Sequence, residues 1–146
     1  AACETIASIY ANKLSHIVVT TKNNGAVPDL PVDCAVEVSS YIGSTGARPI
    51  AFGPLEPAER GWVQCMKNME LCVEEAAVTG DYGTLLQAFI INPQIVAGTK
   101  AKRIMDELLI AHKKYLPQFA DTIARLEEEG VTIKDDVARE LTEKGL

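Results

Sequence analysis

The residues best equipped for chemistry stand together at Lys22-Asn23-Asn24-Gly25. An ammonium, two carboxamides and a glycine follow a β-branched run, Ile17-Val18-Val19-Thr20-Thr21, so they sit at the end of a strand. Lysine offers a compact charge and asparagine both donates and accepts, a set suited to a phosphate and to sugar hydroxyls. The same four residues satisfy a plainer reading, a turn whose asparagines take left-handed or Asx geometry. Both readings stand at this point.

Other reactive side chains are scattered. The two histidines are His16, entering the strand, and His112, late in a helix, where its ring is expected to pack against neighbouring helices. The four cysteines, Cys3, Cys34, Cys65 and Cys72, form no C-x-x-C pair and have no histidine at ligand spacing. They read as free thiols of a reducing cytosol, with Cys65 and Cys72 buried on one helix face. Glu74 and Glu75 are adjacent on a helix and point apart, so they make no acid–base pair. Phosphate-loop, dinucleotide-loop, zinc-protease and nucleophile-elbow motifs are all missing.

Around the turn, the elements follow from period and punctuation. Ala1 to Lys13 has Ile6, Ile9 and Tyr10 at helical spacing, and its uncapped start suggests a piece of something larger. A second strand is expected at Cys34 to Val38, running on to Ile42, with Gly43-Ser44-Thr45-Gly46 as a hairpin turn. Pro49 to Pro54 is expected as a third, edge strand. Ala58 to Thr79 reads as a helix with Trp62, Met66, Met69, Val73, Ala76 and Ala77 inward and Gly80 as its cap. Asp81 opens another helix through Ile91. Thr99 caps a third, with Ile104, Leu108, Ala111, His112 and Tyr115 inward. From Gln118 to Leu146 two charged helices are expected, broken at Gly130, with Glu127-Glu128-Glu129 and Lys134-Asp135-Asp136 on their polar faces.

A chain of 146 residues fits one domain, spanning residues 1–146, and can bury a core without staples. With 47% hydrophobic and 23% charged residues it is globular, and a net charge of −6 argues against a nucleic-acid backbone as partner. No apolar run is long enough for a membrane span. The fold class is therefore α+β, a small antiparallel sheet from the N-terminal half packed with helices from the C-terminal half.

The run Asn23-x-Gly25-Ala26-Val27-Pro28-Asp29-Leu30-Pro31, then Ala35-Val36-Glu37-Val38, resembles the C-terminal domain of the family 4 glycoside hydrolases. The likeness continues through Glu74-Glu75-Ala76-Ala77-Val78-Thr79-Gly80-Asp81-Tyr82, Ile91-Asn92-Pro93 and Met105-Asp106-Glu107-Leu108-Leu109. It ends at Tyr115-Leu116-Pro117-Gln118-Phe119, which resembles the 6-phospho-β-glucosidase branch. The resemblance implies a fold like the C-terminal domain of lactate dehydrogenases, preceded in the whole enzyme by a Rossmann domain. It implies a mechanism outside the two-carboxylate scheme. NAD oxidises the sugar at C3, a tyrosine removes the C2 proton, the aglycone is eliminated, water adds and the hydride returns. A divalent metal, usually manganese, polarises the C2 and C3 oxygens.

In the family the catalytic tyrosine lies in a Tyr-Tyr-Ser-Asp stretch upstream of residues resembling Ala1-Ala2-Cys3. The metal-ligating cysteine and histidine and the NAD loop lie further upstream. None of the cysteines or histidines here matches a ligand position, so the resemblance implies no catalytic, cofactor or metal residue in this chain and no activity for it alone. What it does carry over is Lys22, Asn23, Asn24 and Gly25 as the segment facing the sugar-phosphate pocket. The sequence departs from many members at Ser39-Ser40, and Asn24 stands where β-branch members often have arginine. Implied partners are a phosphorylated disaccharide or β-glucoside, the enzyme's own Rossmann domain and further copies in a dimer or tetramer, all in the cytoplasm. Two other readings compete, a free-standing interaction module and the substrate domain of a 2-hydroxy-acid dehydrogenase. The dehydrogenase reading lacks a matching context for His16 or Arg48.

Overall fold

The computed structural model describes residues 2–95, 98–134 and 143. Helix α1 (Ala2–Ala11) leads into strands β1 (Ser15–Lys22), β2 (Ala35–Gly43) and β3 (Gly46–Pro49). Helices α2 (Pro57–Thr79), α3 (Tyr82–Ile91), α4 (Gly98–Ala111) and α5 (Ala120–Glu128) follow, with two single 3₁₀ turns at Lys113–Tyr115 and Pro117–Phe119. The class is α+β. Two compact units divide the chain, Ala1–Gln64 and Cys65–Leu146.

In the first unit the sheet is antiparallel in the order β1-β2-β3. Ser15 pairs with Ile42 and Lys22 with Ala35, while Gly43 pairs with Gly46 across the expected two-residue hairpin turn. Period-2 alternation turns one face inward. Val36, Val38, Ser40 and Ile42 are buried on β2, and Ile17 is buried on β1 with Val19 and Thr21 half-buried. Val27, Cys34, Val36 and Val38 form a small core with Leu30 and Leu55.

The first helix is held to this sheet by polar contacts. Ser8 is completely buried; its hydroxyl donates to the Ile42 carbonyl at 2.6 Å and accepts the Ser15 N–H at 3.1 Å. The chain reverses from α1 into β1 through Asn12 and Leu14, both at positive φ, and the Asn12 side chain accepts the Ser44 N–H.

The third strand differs from expectation. It occupies Gly46–Pro49, not Pro49 to Pro54. Pro49 does sit on an edge strand, as prolines should. Past Ile50, whose N–H still reaches Ser39, the chain leaves β2 and Phe52 donates to Ala26 instead. Gly53 at φ +89 and the N–H-less Pro54 then prevent any ladder from continuing.

In the second unit, Ala76, Met105, Leu109, Ile110, Phe119, Ile123 and Leu126 make the core. Gly80 ends α2 as expected, in the left-handed conformation with its N–H on Ala76. Asp81 caps α3 by accepting the Thr84 N–H at 2.6 Å, which holds the Asp81 carboxyl below its ordinary value.

Two helix faces correct the sequence reading. On α4 the buried row is Ala101, Met105 and Leu109 with Ile110, whereas Ile104, Leu108 and Tyr115 are exposed and α4 itself stops at Ala111. On α2 only Ala76 of the expected stripe is buried; Met66 and Met69 are half-buried, Ala77 and Val73 are exposed and Trp62 is 63% exposed. An apolar stripe shows which side of a helix avoids water, but not that the described residues cover it. Helix α5 ends before Gly130, where the break was expected. The expected last helix, with Asp135 and Asp136, lies outside the described residues.

Candidate functional site

Alternation along β1 decides how the Lys22 turn is built. His16, Val18, Thr20 and Lys22 face solvent, and the next residue falls in the inward row begun by Ile17. Lys22 is accordingly exposed at the strand end, and Asn23 is fully buried.

The Asn23 carboxamide closes a loop around itself. Its Nδ2 donates to the carbonyls of Val27 at 3.0 Å, Leu30 at 3.2 Å and Pro31 at 3.0 Å. Its Oδ1 accepts the Val27 N–H at 2.8 Å. Two amide hydrogens are shared over three carbonyls, so the side chain has no donor left over. The backbone adds Asn23 N–H to Cys34, Asn24 N–H to Val32 and Ala26 N–H to Asn23, each at 2.9 Å. Asn24 and Gly25 turn the chain at φ 48° and 84°, the left-handed geometry of the plainer reading. Both are exposed, and nothing lies within 4 Å of where a Gly25 side chain would begin.

A second clamp fixes the far side of this loop. The Asp29 carboxylate accepts the Leu55 N–H at 2.6 Å and pairs with Arg60 Nε at 3.2 Å. Arg60 also donates to the Leu55 carbonyl, and Gln64 donates to the Asp29 carbonyl. Arg60 and Gln64 lie four apart in α2, which puts them on one side of that helix.

Elsewhere the reactive side chains stay apart. The His16 ring lies 5.7 Å from that of Tyr41 on the outer sheet face. His112 is exposed and lines an apolar groove of about 370 Å³ with Val73, Leu85, Phe89, Leu108 and Leu116, so it is not packed away. All four cysteines are free; Cys34 is the buried one, and Cys65 and Cys72 are only half-buried, against expectation. Cys65 donates its thiol hydrogen to the Ile91 carbonyl. Among the described residues no three His, Cys, Asp or Glu side chains gather as a metal site.

One polar cluster escaped the sequence reading. Asp106, 3% exposed, accepts the Tyr82 hydroxyl at 2.7 Å and the Lys102 ammonium at 2.6 Å. Burial and then the Asp106 hydrogen bond push the Tyr82 phenol above its ordinary value, and the same carboxylate raises Lys102. Arg125 sits 5.4 Å from the Tyr82 ring centre. The Lys102–Asp106 spacing of four was its one available signal. The cluster ties α3 to α4 and α5.

The fold is α+β, and its first unit displays at a strand end a polar turn closed by its own hydrogen bonds. Residues 1–95 match the family 4 glycosyl hydrolase C-terminal domain, and the chain belongs to that family. It is 51% identical, over 84% of its length and 28% of the relative's, to a Bacillus subtilis protein described as a probable 6-phospho-β-glucosidase. Among solved structures, a 6-phospho-α-glucosidase from gut microorganisms, in complex with NAD and glucose 6-phosphate, superimposes with a TM-score of 0.75 at 29% identity. That match covers 79% of this chain and 26% of the other. A second such structure, in complex with NAD and Mn²⁺, gives 0.77 at 26% identity, covering 80% of this chain and 27% of the other. The chain thus spans less than a third of the proteins it matches. Family membership removes the 2-hydroxy-acid dehydrogenase reading. No helix among the described residues is long and apolar enough to cross a membrane.

Proposed function

We propose that this chain is the substrate-side domain of a cytoplasmic 6-phospho-β-glucosidase, with the Lys22 to Gly25 turn facing the sugar phosphate. The observation that carries the β preference is the 51% identity to the probable 6-phospho-β-glucosidase of Bacillus subtilis. Supporting the site is the exposed Lys22 ammonium beside an open glycine backbone on a loop closed by the Asn23 hydrogen bonds. A phosphate dianion needs a cation and fixed donors, and this turn offers both.

NAD and Mn²⁺ would serve the intact enzyme with hydride and Lewis-acid chemistry. The described residues do not fit either group. The sequence has no glycine-rich dinucleotide loop, and the described acidic, histidine and cysteine side chains form no ligand set. This domain's own part is to bind and orient the phosphorylated sugar.

The test is hydrolysis by the intact protein, supplied with NAD and Mn²⁺, of the 4-nitrophenyl α- and β-glucoside 6-phosphates. Cleavage of the β anomer alone is expected. Preference for the α anomer, or for unphosphorylated glucosides, overturns the reading.

A further inference from the structure

Resting on that substrate-side reading, we propose that Asn23 is a positioning residue for the sugar phosphate, one that aims Lys22 and Asn24 without touching the ligand. Its side chain is 0% exposed, and both ends of the carboxamide are engaged inside the loop. Strand alternation sends it inward just where it sends Lys22 outward.

No other side chain does the same work. Aspartate has the same shape but no hydrogens, and would press a carboxylate against three carbonyl oxygens. Alanine would leave the Val27 N–H and those carbonyls without this partner. Glutamine would carry the amide one methylene too far for a cavity filled by asparagine.

The cage holds the exposed part of the turn in one shape. Asn24 at φ 48° takes the left-handed conformation that asparagine tolerates, and Asn23 and the Asp29–Arg60 clamp fix the chain on either side of it. A turn fixed before the ligand arrives has little ordering left to do on binding. Misplacing the Lys22 ammonium by an ångström would then weaken phosphate binding more than it slows chemistry elsewhere on the sugar.

The experiment compares parent, Lys22→Ala, Asn23→Asp, Asp29→Asn and the Lys22→Ala/Asn23→Asp double variant in the intact enzyme. Kinetics on the 4-nitrophenyl β-glucoside 6-phosphate are read well below each Tm and normalised to folded protein. Asn23→Asp should raise KM about tenfold with kcat within about threefold of parent. The double variant should exceed Lys22→Ala by no more than about twofold, since the Lys22 charge that Asn23 aims is already removed and only the weaker Asn24 contact is left to misplace. A lowered Tm with unchanged KM, or fully additive losses, overturns the proposal. If Asn23→Asp fails to fold, Asp29→Asn carries the test, with a KM rise of about threefold expected and an unchanged KM overturning it. Should Lys22→Ala itself leave KM unchanged, the substrate-side reading falls and takes the proposal with it. A KM raised by Lys22→Ala but not by Asn23→Asp overturns the positioning role alone.

Discussion

Lys22 and Asn23 are neighbours in sequence with opposite fates, and the cause is the two-residue period of the strand that precedes them. The alternation Ile17, Val19, Thr21 was visible in the residues, and carrying it two steps on points Asn23 inward. Reading the tetrapeptide as one polar patch hid that signal. The thiols show the same limit: helical spacing put Cys65 and Cys72 on one face but gave no measure of how deeply that face is covered. Their environments predict an order of labelling by a thiol reagent. Cys3 should react at once, Cys65 and Cys72 more slowly, and Cys34 only after denaturation. Fast native labelling of Cys34 would contradict its burial. Ser8→Ala should cost about 2 kcal/mol in urea unfolding, because it strands the Ser15 N–H and the Ile42 carbonyl in the interior.

At the scale of elements, punctuation was more legible than faces. Gly80, Asp81, Asn92 and Gly130 each mark a helix end through local chemistry that needs no tertiary partner. The inward rows of α2 and α4 depend on what packs there, and apolar residues occur on more than one side of α4. Two glycine caps give a paired prediction. Gly80→Ala should lose about 3 kcal/mol, since a Cβ there would lie 2.1 Å from the Gln118 carbonyl oxygen as well as forcing φ +73°. Gly130→Ala, equally left-handed at φ +77° but with open space around it, should lose about 1 kcal/mol. Equal losses would contradict the close approach at Gly80.

The Tyr82–Asp106 bond that joins α3 to α4 has a pH signature. Tyr82→Phe should cost about 1.5 kcal/mol near neutrality. The folded phenol titrates above its ordinary value, so its contribution is complete below about pH 10 and is lost as pH rises through the higher folded value. The gap between parent and Tyr82→Phe should therefore close in alkali. A gap that widens there would contradict the assigned hydrogen bond.

For the whole molecule, the fold class and the family could be read from the sequence because the diagnostic segments are long and run in order from Asn23 to Phe119. The chemistry was legible only through the resemblance, and among the described residues no three His, Cys, Asp or Glu side chains gather as a metal site. Titrating NAD and Mn²⁺ into the chain by calorimetry should accordingly give dilution heat only, and saturable NAD binding would contradict this division of labour. The central claim is that the Lys22 turn recognises the phosphate of a 6-phospho-β-glucoside. Its most direct test is kcat/KM of the intact enzyme on the 4-nitrophenyl β-glucoside 6-phosphate, for parent and Lys22→Ala. The account predicts a loss of about tenfold to a hundredfold, carried by KM, with Tm within a few degrees of parent. A KM that stays at the parent value while Tm falls would contradict it.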